Sequence, residues 1–189
     1  MDFSDAIGAV VLRTKRRDKV DLIAQAINKA ISEFCRMKKF GKDLAYLEWS
    51  VPEADRGATL LHIPWSEFSY AVREFELIRG INDSCGLERV ASNQTLLRGQ
   101  VRKGTFYESS AGVHLALRIP TDVVVCSYYH LPPRLVDANS TNWILQTVYD
   151  EIVERASAIV FKTIGEDREA DRIMNLSMLS YERAMRDVL

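Results

Sequence analysis

Three kinds of residue in this chain could carry chemistry: its three histidines, its three cysteines and its runs of arginine and lysine. Histidine moves protons and binds metals, but His62, His114 and His130 are far apart, and each falls in or at the end of an expected strand. Their spacing offers no H-E-x-x-H or comparable ligand pair, so they read as surface or half-buried strand residues. Cys35, Cys85 and Cys126 are odd in number, lack C-x-x-C spacing and sit in or beside apolar segments. Reduced and mostly buried thiols are expected, without disulfides, as in a cytosolic protein. The chain carries no G-x-S-x-G nucleophile elbow, no G-x-x-x-x-G-K-[ST] phosphate loop and no G-x-G-x-x-G opening a helix. The expectation is a protein that is not an enzyme, with no cofactor and no metal.

Phosphate binding is the remaining chemistry to weigh. The run "RTKRRDK" supplies Arg13, Lys15, Arg16, Arg17 and Lys19. Asp18 and Asp21 interrupt it and no aromatic residue interleaves, so solvated loop charge or a protein contact is expected, with direct nucleic-acid contact as the alternative. A second cluster over residues 36–42 holds Arg36, Lys38, Lys39 and Lys42 at the end of an expected helix, where cations complement the macrodipole. The alternative function that both clusters would serve is a cytosolic nucleic-acid-binding module.

The whole chain sets further bounds. Its 189 residues suit one domain, or one domain with an inserted lobe. A composition 47% hydrophobic and 27% charged is that of a globular protein. With 25 basic and 26 acidic side chains the net charge is -1, so no global basicity advertises nucleic acid. The first residues place acids before an apolar patch and a basic cluster, the reverse of a secretory signal. No run approaches the ~18 apolar residues of a membrane span.

Positioning these residues falls to a small set of elements. All five prolines and seven of the nine glycines lie between residues 41 and 133, which predicts helical ends around a β-rich centre. Val20, Ile23, Ile27, Ala30, Ile31 and Phe34 recur at helical spacing, and Phe3, Ile7, Val10 and Val11 suggest a shorter helix capped by Asp2 or Ser4. In the centre, "LAYLEWSV" alternates Ala45, Leu47, Trp49 and Val51 against polar residues. "GATLLHIP" and "VREFELI" predict two further strands, the second with Phe75 and Leu77 on one face. "VHLALRI" places Val113, Leu115, Leu117 and Ile119 inward, with His114 and Arg118 outward. "DVVVCSYYHL" is apolar on both faces, as a central or doubly covered strand would be. Residues 87–103 read as a long connection with a short helix near Ser92 to Leu97.

The C-terminal third is read as two antiparallel helices. Thr147 with Asp150 makes a capping-box-like start, followed by a stripe of Val148, Ile152, Ala156, Ile159, Val160 and Ile164 that Gly165 terminates. Ala170, Met174, Met178, Tyr181, Met185 and Val188 then form a seam on the last helix. The fold class expected is α+β: N-terminal helices and a C-terminal antiparallel helix pair forming a small bundle, with a central antiparallel β-rich lobe. Its parts would be residues 1–40, 41–133 and 134–189 of a single domain. Between strand and helix pair, "YYHLPPRLVDANSTNWILQ" is expected to form a stiff elbow. Pro132 and Pro133 fix their own φ and bias the residues before them toward extended geometry, and Asn142 and Trp143 lead into the helices, the indole as a plug or a partner-facing ring.

At this elbow the sequence resembles the head-to-tail adaptor (connector, or head-completion) proteins of tailed bacteriophages. The matching pieces, in order, are "DLIAQAINKAISEFCR", "LHIPWSEF", "SYYHLPPRL", "STNWIL", "YDEIVERASAIV" and "GEDREADRIMNLSMLSYERAM". The resemblance implies a structural virion protein of the neck, made in the host cytoplasm and assembled with itself into a ring of roughly twelve copies. The ring would lie beneath the portal protein, join a tail, nozzle or tube protein, and pass genome DNA through its lumen without sequence-specific contact. It further implies a portal-docking element at the C-terminus, with Tyr181, Met185, Val188 and Leu189 as apolar anchors and Arg183 and Arg186 as polar contacts. Packing within the monomer is the other reading of Tyr181 and Met185.

Overall fold

A computed structural model describes residues 1–91 and 102–187. The fold is α+β and divides into a helical unit, residues 1–42 with 132–189, and a β unit of residues 43–131. The short helix expected near Ser92 to Leu97 lies outside the described residues.

In the helical unit, α1 spans Phe3–Thr14 and α2 spans Val20–Met37. Asp2 caps α1 in a full capping box with Asp5, which satisfies two of the otherwise orphaned N-terminal donors. The buried face of α1 is Phe3, Ala6, Val10 and Thr14, while α2 buries Ile23, Ala26, Ile27, Ala30, Ile31, Phe34 and Cys35. The C-terminal helices are α3 (Trp143–Thr147), α4 (Tyr149–Thr163) and α5 (Asp167–Asp187). Helix α4 ends in a Schellman motif, with Gly165 at φ 82° and the Glu166 amide bonded back to the Phe161 carbonyl. Helices α4 and α5 then run antiparallel, with Ala158 and Phe161 packed on Ala170 and Ile173.

Two details of the helix reading change. The N-cap is Asn142, whose Oδ1 accepts from the Leu145 amide at 2.9 Å. Thr147 closes α3 instead, its hydroxyl donating to the Trp143 carbonyl. Asp150 sits in the first turn of α4, whose start at Val148 has no side-chain cap. The expected seam of α5 also shifts: Ala170, Ile173, Ser177, Tyr181 and Ala184 are buried, whereas Met178 is half exposed. The expected seam holds at Ala170 and Tyr181, with Met174 partly buried beside it, and fails at Met178, where Ser177 takes the buried position instead.

The β unit packs two sheets face to face. One has the order β1 (Leu44–Ser50), β7 (Val123–His130), β3 (Val72–Gly80). The other has the order β2 (Leu60–Pro64), β6 (Gly112–Ala116), β5 (Thr105–Glu108), β4 (Glu88–Arg89). Every pairing is antiparallel except β4 with β5. Strand β7 is central to its sheet, and Val124, Cys126 and Tyr128 point into a shared core with Trp49, Leu61, Ile63, Ile78, Phe106, Val113, Leu115 and Leu117. Burial pushes the Cys126 thiol up to about 12, so it is a small hydrophobe rather than a nucleophile.

Alternation fails at two positions. Register shifts interrupt β3 between Val72 and Glu74 and between Phe75 and Leu77. An extra residue reverses the facing of all that come after it. Phe75 and Ile78 therefore face the core, while Leu77 pairs with Ser127 on the other face and is exposed. Ile119 is also exposed rather than inward, because β6 ends at Ala116 and Leu117 is its last buried neighbour.

Gly112 allows β2 and β6 to meet at the end of their ladder. A Cβ there would lie 2.2 Å from the Ile63 carbonyl oxygen and 2.9 Å from the Pro64 Cα. Backbone atoms cannot yield as a side-chain end could. Gly112→Ala is expected to lower stability by roughly 2–4 kcal/mol in urea unfolding; an unchanged midpoint would contradict the close approach.

Candidate functional site: the elbow and the C-terminal helix

The elbow is fastened to the helical unit by its backbone. After Pro132 and Pro133, the buried Leu135 donates its amide to Asn28 Oδ1 at 2.8 Å and accepts from Asn28 Nδ2 at 3.0 Å. Asn28 thus treats Leu135 as a neighbouring strand would, satisfying both polar groups of a buried residue. The next polar run is equally occupied. The amide of Ser140 and its hydroxyl close a turn on Asp137. Beyond that turn, the carbonyls of Ala138 and Ser140 accept from the Ser4 and Phe3 amides, each at 2.9 Å. Residues 137–140 therefore finish the capping of α1, a role that nothing in their composition announces.

Asn142 and Trp143 complete the elbow. Asn142 is buried and its Oδ1 caps α3, while its Nδ2 has no hydrogen-bond partner within the described residues. The Trp143 ring meets Phe40 edge-on at 5.2 Å, with the Lys42 ammonium 5.3 Å from its centre. Phe40 stacks on Phe34 at 5.3 Å, and Phe34 meets Tyr181 edge-on at 5.1 Å. Four rings thus run unbroken from the elbow to the last helix. Such pairs prefer these offset or edge-on geometries because a ring's edge is positive and its face negative.

Tyr181 is only 2% exposed, and its hydroxyl lies 3.4 Å from the Ala30 carbonyl. Burial pushes its phenol well above the ordinary range. Of the two readings of this residue, packing within the monomer is the one its surroundings support. Arg183 is exposed on the far side of the same helix. Met185 and Arg186 belong to α5. Val188 and Leu189 lie outside the described residues. Sequence reasoning missed the part-buried pair of Arg155 and Glu33 at 2.7 Å, which ties α4 to α2, with the Arg155 guanidinium also on the Met174 sulfur. An arginine breaking an apolar stripe was the available signal.

The basic run begins at Arg13 in the last turn of α1 and continues through the connection to α2. Arg13 pairs with Glu154 of α4 at 3.2 Å, and Arg16 and Lys19 both pair with Asp18. Lys15 takes the left-handed C-cap position of α1, and Arg17 opens the short turn before α2. Acidic partners within the chain therefore hold three of these five cations. In the second cluster, Arg36 is in the last turn of α2 and Lys42 lies over Trp143.

Histidines far apart in sequence do meet in part. His62 and His114 are directly opposed on β2 and β6, their rings stacked at 4.6 Å, and Tyr107 stacks on the other side of His114 at 4.6 Å. The His114 Nε2 lies 2.9 Å from the Ser109 hydroxyl. The expectation of three separate strand histidines fails for this pair, since sheet register rather than spacing brings them together. His130 lies apart from the pair, stacked on Tyr70 at 4.4 Å. Among the described residues no group of three or more His, Cys, Asp or Glu is placed to hold a metal ion, and no helix is long and apolar enough to cross a membrane.

A helical unit drawn from residues 1–42 and 132–189 and a β unit inserted between those two segments define an α+β fold. The family model described as SU10 adaptor protein matches residues 1–188, and the chain belongs to that family of phage head-to-tail adaptors. A comparison with curated proteins returns no match.

Two measurements probe these contacts. Asn28→Ala removes both bonds to Leu135 and strands its buried backbone, so a loss of about 1–3 kcal/mol and faster amide exchange at Leu135 are expected; unchanged exchange would refute the clamp. Burial, and next the facing His62, hold the His114 imidazole below its ordinary range. The unfolded chain then binds a proton that the folded one refuses, so this contribution is complete above the unfolded value of about 6.5 and falls away as pH drops through it. Melting measured from pH 8 to 5 is expected to show that loss, and His114→Phe to flatten it.

Proposed function

We propose that copies of this chain form a ring beneath the portal of a tailed phage, joining capsid to tail around the channel through which the genome leaves. The observation that carries this reading is the family match over nearly the whole chain. The partners are the portal protein on one side, a tail, nozzle or tube protein on the other, and further copies of the chain in a ring of roughly twelve. The location is the virion neck. DNA passes the lumen without base readout, a task suited to a chain of net charge -1, since tight phosphate binding would hold back the cargo.

Portal docking falls to the end of α5 and the last two residues of the chain. Buried Tyr181 fixes the helix to the bundle, which leaves the residues after Arg183, namely Met185, Arg186, Val188 and Leu189, to meet the portal. Division of labour along one helix is physically sensible. The anchor must be desolvated inside the monomer, and the docking residues must remain available outside it.

Electron microscopy of the protein mixed with portal rings is expected to reveal an added annular layer. Truncation after Arg183 is expected to remove that layer while the bundle, still holding Tyr181, stays folded by circular dichroism. A chain that remains monomeric beside portal at micromolar concentration, or docks equally well when trimmed, would overturn the reading.

A further inference from the structure

Two helix faces in the helical unit are exposed in the monomer, and their residues match one another. On α5 the face away from Tyr181 carries Leu176 and Leu179, 50% and 59% exposed, and then exposed Arg183. Spacings of three and then four residues put all three on one stripe. Isolated surface leucines are ordinary, but two on adjacent turns ending in an arginine form an apolar strip with a charged terminus.

On α1 the outward stripe is Asp5, Gly8 and Leu12, with Leu12 75% exposed. Glycine inside a helix costs roughly 0.5–1 kcal/mol relative to alanine. A Cβ built at Gly8 meets nothing within 4 Å, so packing inside the chain does not require glycine there. The residue creates a flat place between an apolar and an acidic side chain.

We propose that the α5 strip of one copy docks antiparallel on the α1 stripe of a second copy. Leu12 and Asp5 are seven residues apart, as are Leu176 and Arg183, so both stripes span about 10.5 Å. Antiparallel docking sets Leu176 against Leu12, seats Leu179 over Gly8 and brings the Arg183 guanidinium to the Asp5 carboxylate. The parallel arrangement would place each charge against a leucine. Because the two faces differ, each copy can give one face to a neighbour and receive the other from a second, the head-to-tail contact from which closed rings grow. This inference rests on the ring reading above and supplies its flank contact, assigning Arg183 to the neighbouring copy and leaving the residues after it to the portal.

The test uses the full chain with exposed Cys85 replaced by serine, since Cys35 and Cys126 are buried. Copies bearing Gly8→Cys are mixed with copies bearing Leu179→Cys under mild oxidation, alone and on portal rings. A disulfide-linked pair formed in the mixture and in neither single variant is the expected result. Gly8→Leu is expected to weaken self-association about tenfold or more without lowering the melting temperature, because nothing inside the chain opposes the new side chain. No link in either setting, links from Leu179→Cys copies alone, or wild-type association by Gly8→Leu would each overturn the proposal. An annular layer on the portal without the cross-link defeats this contact and leaves the adaptor reading standing; a missing annular layer defeats the adaptor reading itself.

Discussion

The helical unit depends on the run of rings from Trp143 through Phe40 and Phe34 to Tyr181. These residues come from the elbow, the segment after α2, α2 itself and α5, so no stretch of local sequence could assemble them. Each such pair is worth about 0.5–1.5 kcal/mol beyond the area it buries. Their larger effect is geometric: Phe34, fully buried, has one neighbour stacked and the other edge-on, and its position fixes both. Around this run the Asn28 clamp on Leu135 and the Arg155 pair with Glu33 hold the remaining helices and the elbow in place.

Much of this architecture was legible because it derives from period. The apolar stripe of α2, the alternation along β1 and β6, and the doubly apolar β7 flanked by β1 and β3 all appear where spacing places them. Failures fall where one residue changes the count. A bulge before Leu77 sends that side chain outward and puts Ile78 in its place, and no single-strand pattern distinguishes the two registers. Before α4, Thr147 has capping chemistry, but its hydroxyl donates back to the Trp143 carbonyl and a separate short helix, capped by Asn142, precedes α4.

The candidate site was legible in outline and illegible in its attachments. Two prolines and a tryptophan mark a stiff segment from composition alone, because φ restriction is local. That Ala138 and Ser140 would cap α1 is not written in either segment, since carbonyl groups are common to every residue and only tertiary position assigns their donors. Tyr181 shows the opposite difficulty. Its place on an apolar seam was correct, but seam residues near a chain end can face a partner or the molecule's own core, and the decision came from Phe34 and Ala30, some 150 residues away in sequence. His62 and His114 likewise become neighbours only through the register of β2 on β6.

Building one bundle from residues 1–42 and 132–189 carries an entropic penalty, because the β unit must be spanned before the two parts can meet. Closing a flexible loop costs more as it lengthens, by about 0.6 kcal/mol for each doubling. Here the insertion removes most of that cost itself. Strand β1 begins at Leu44 and β7 ends at His130, and the two pair antiparallel with Leu44 opposite Tyr129. Once the sandwich forms, the chain therefore enters and leaves it on adjacent strands, roughly 5 Å apart. The helices receive their two halves already side by side, and the Asn28 clamp engages Leu135 only a few residues after the exit. A long β insertion is tolerable in a helical protein when its first and last strands are neighbours, and the pairing of β1 with β7 supplies that condition.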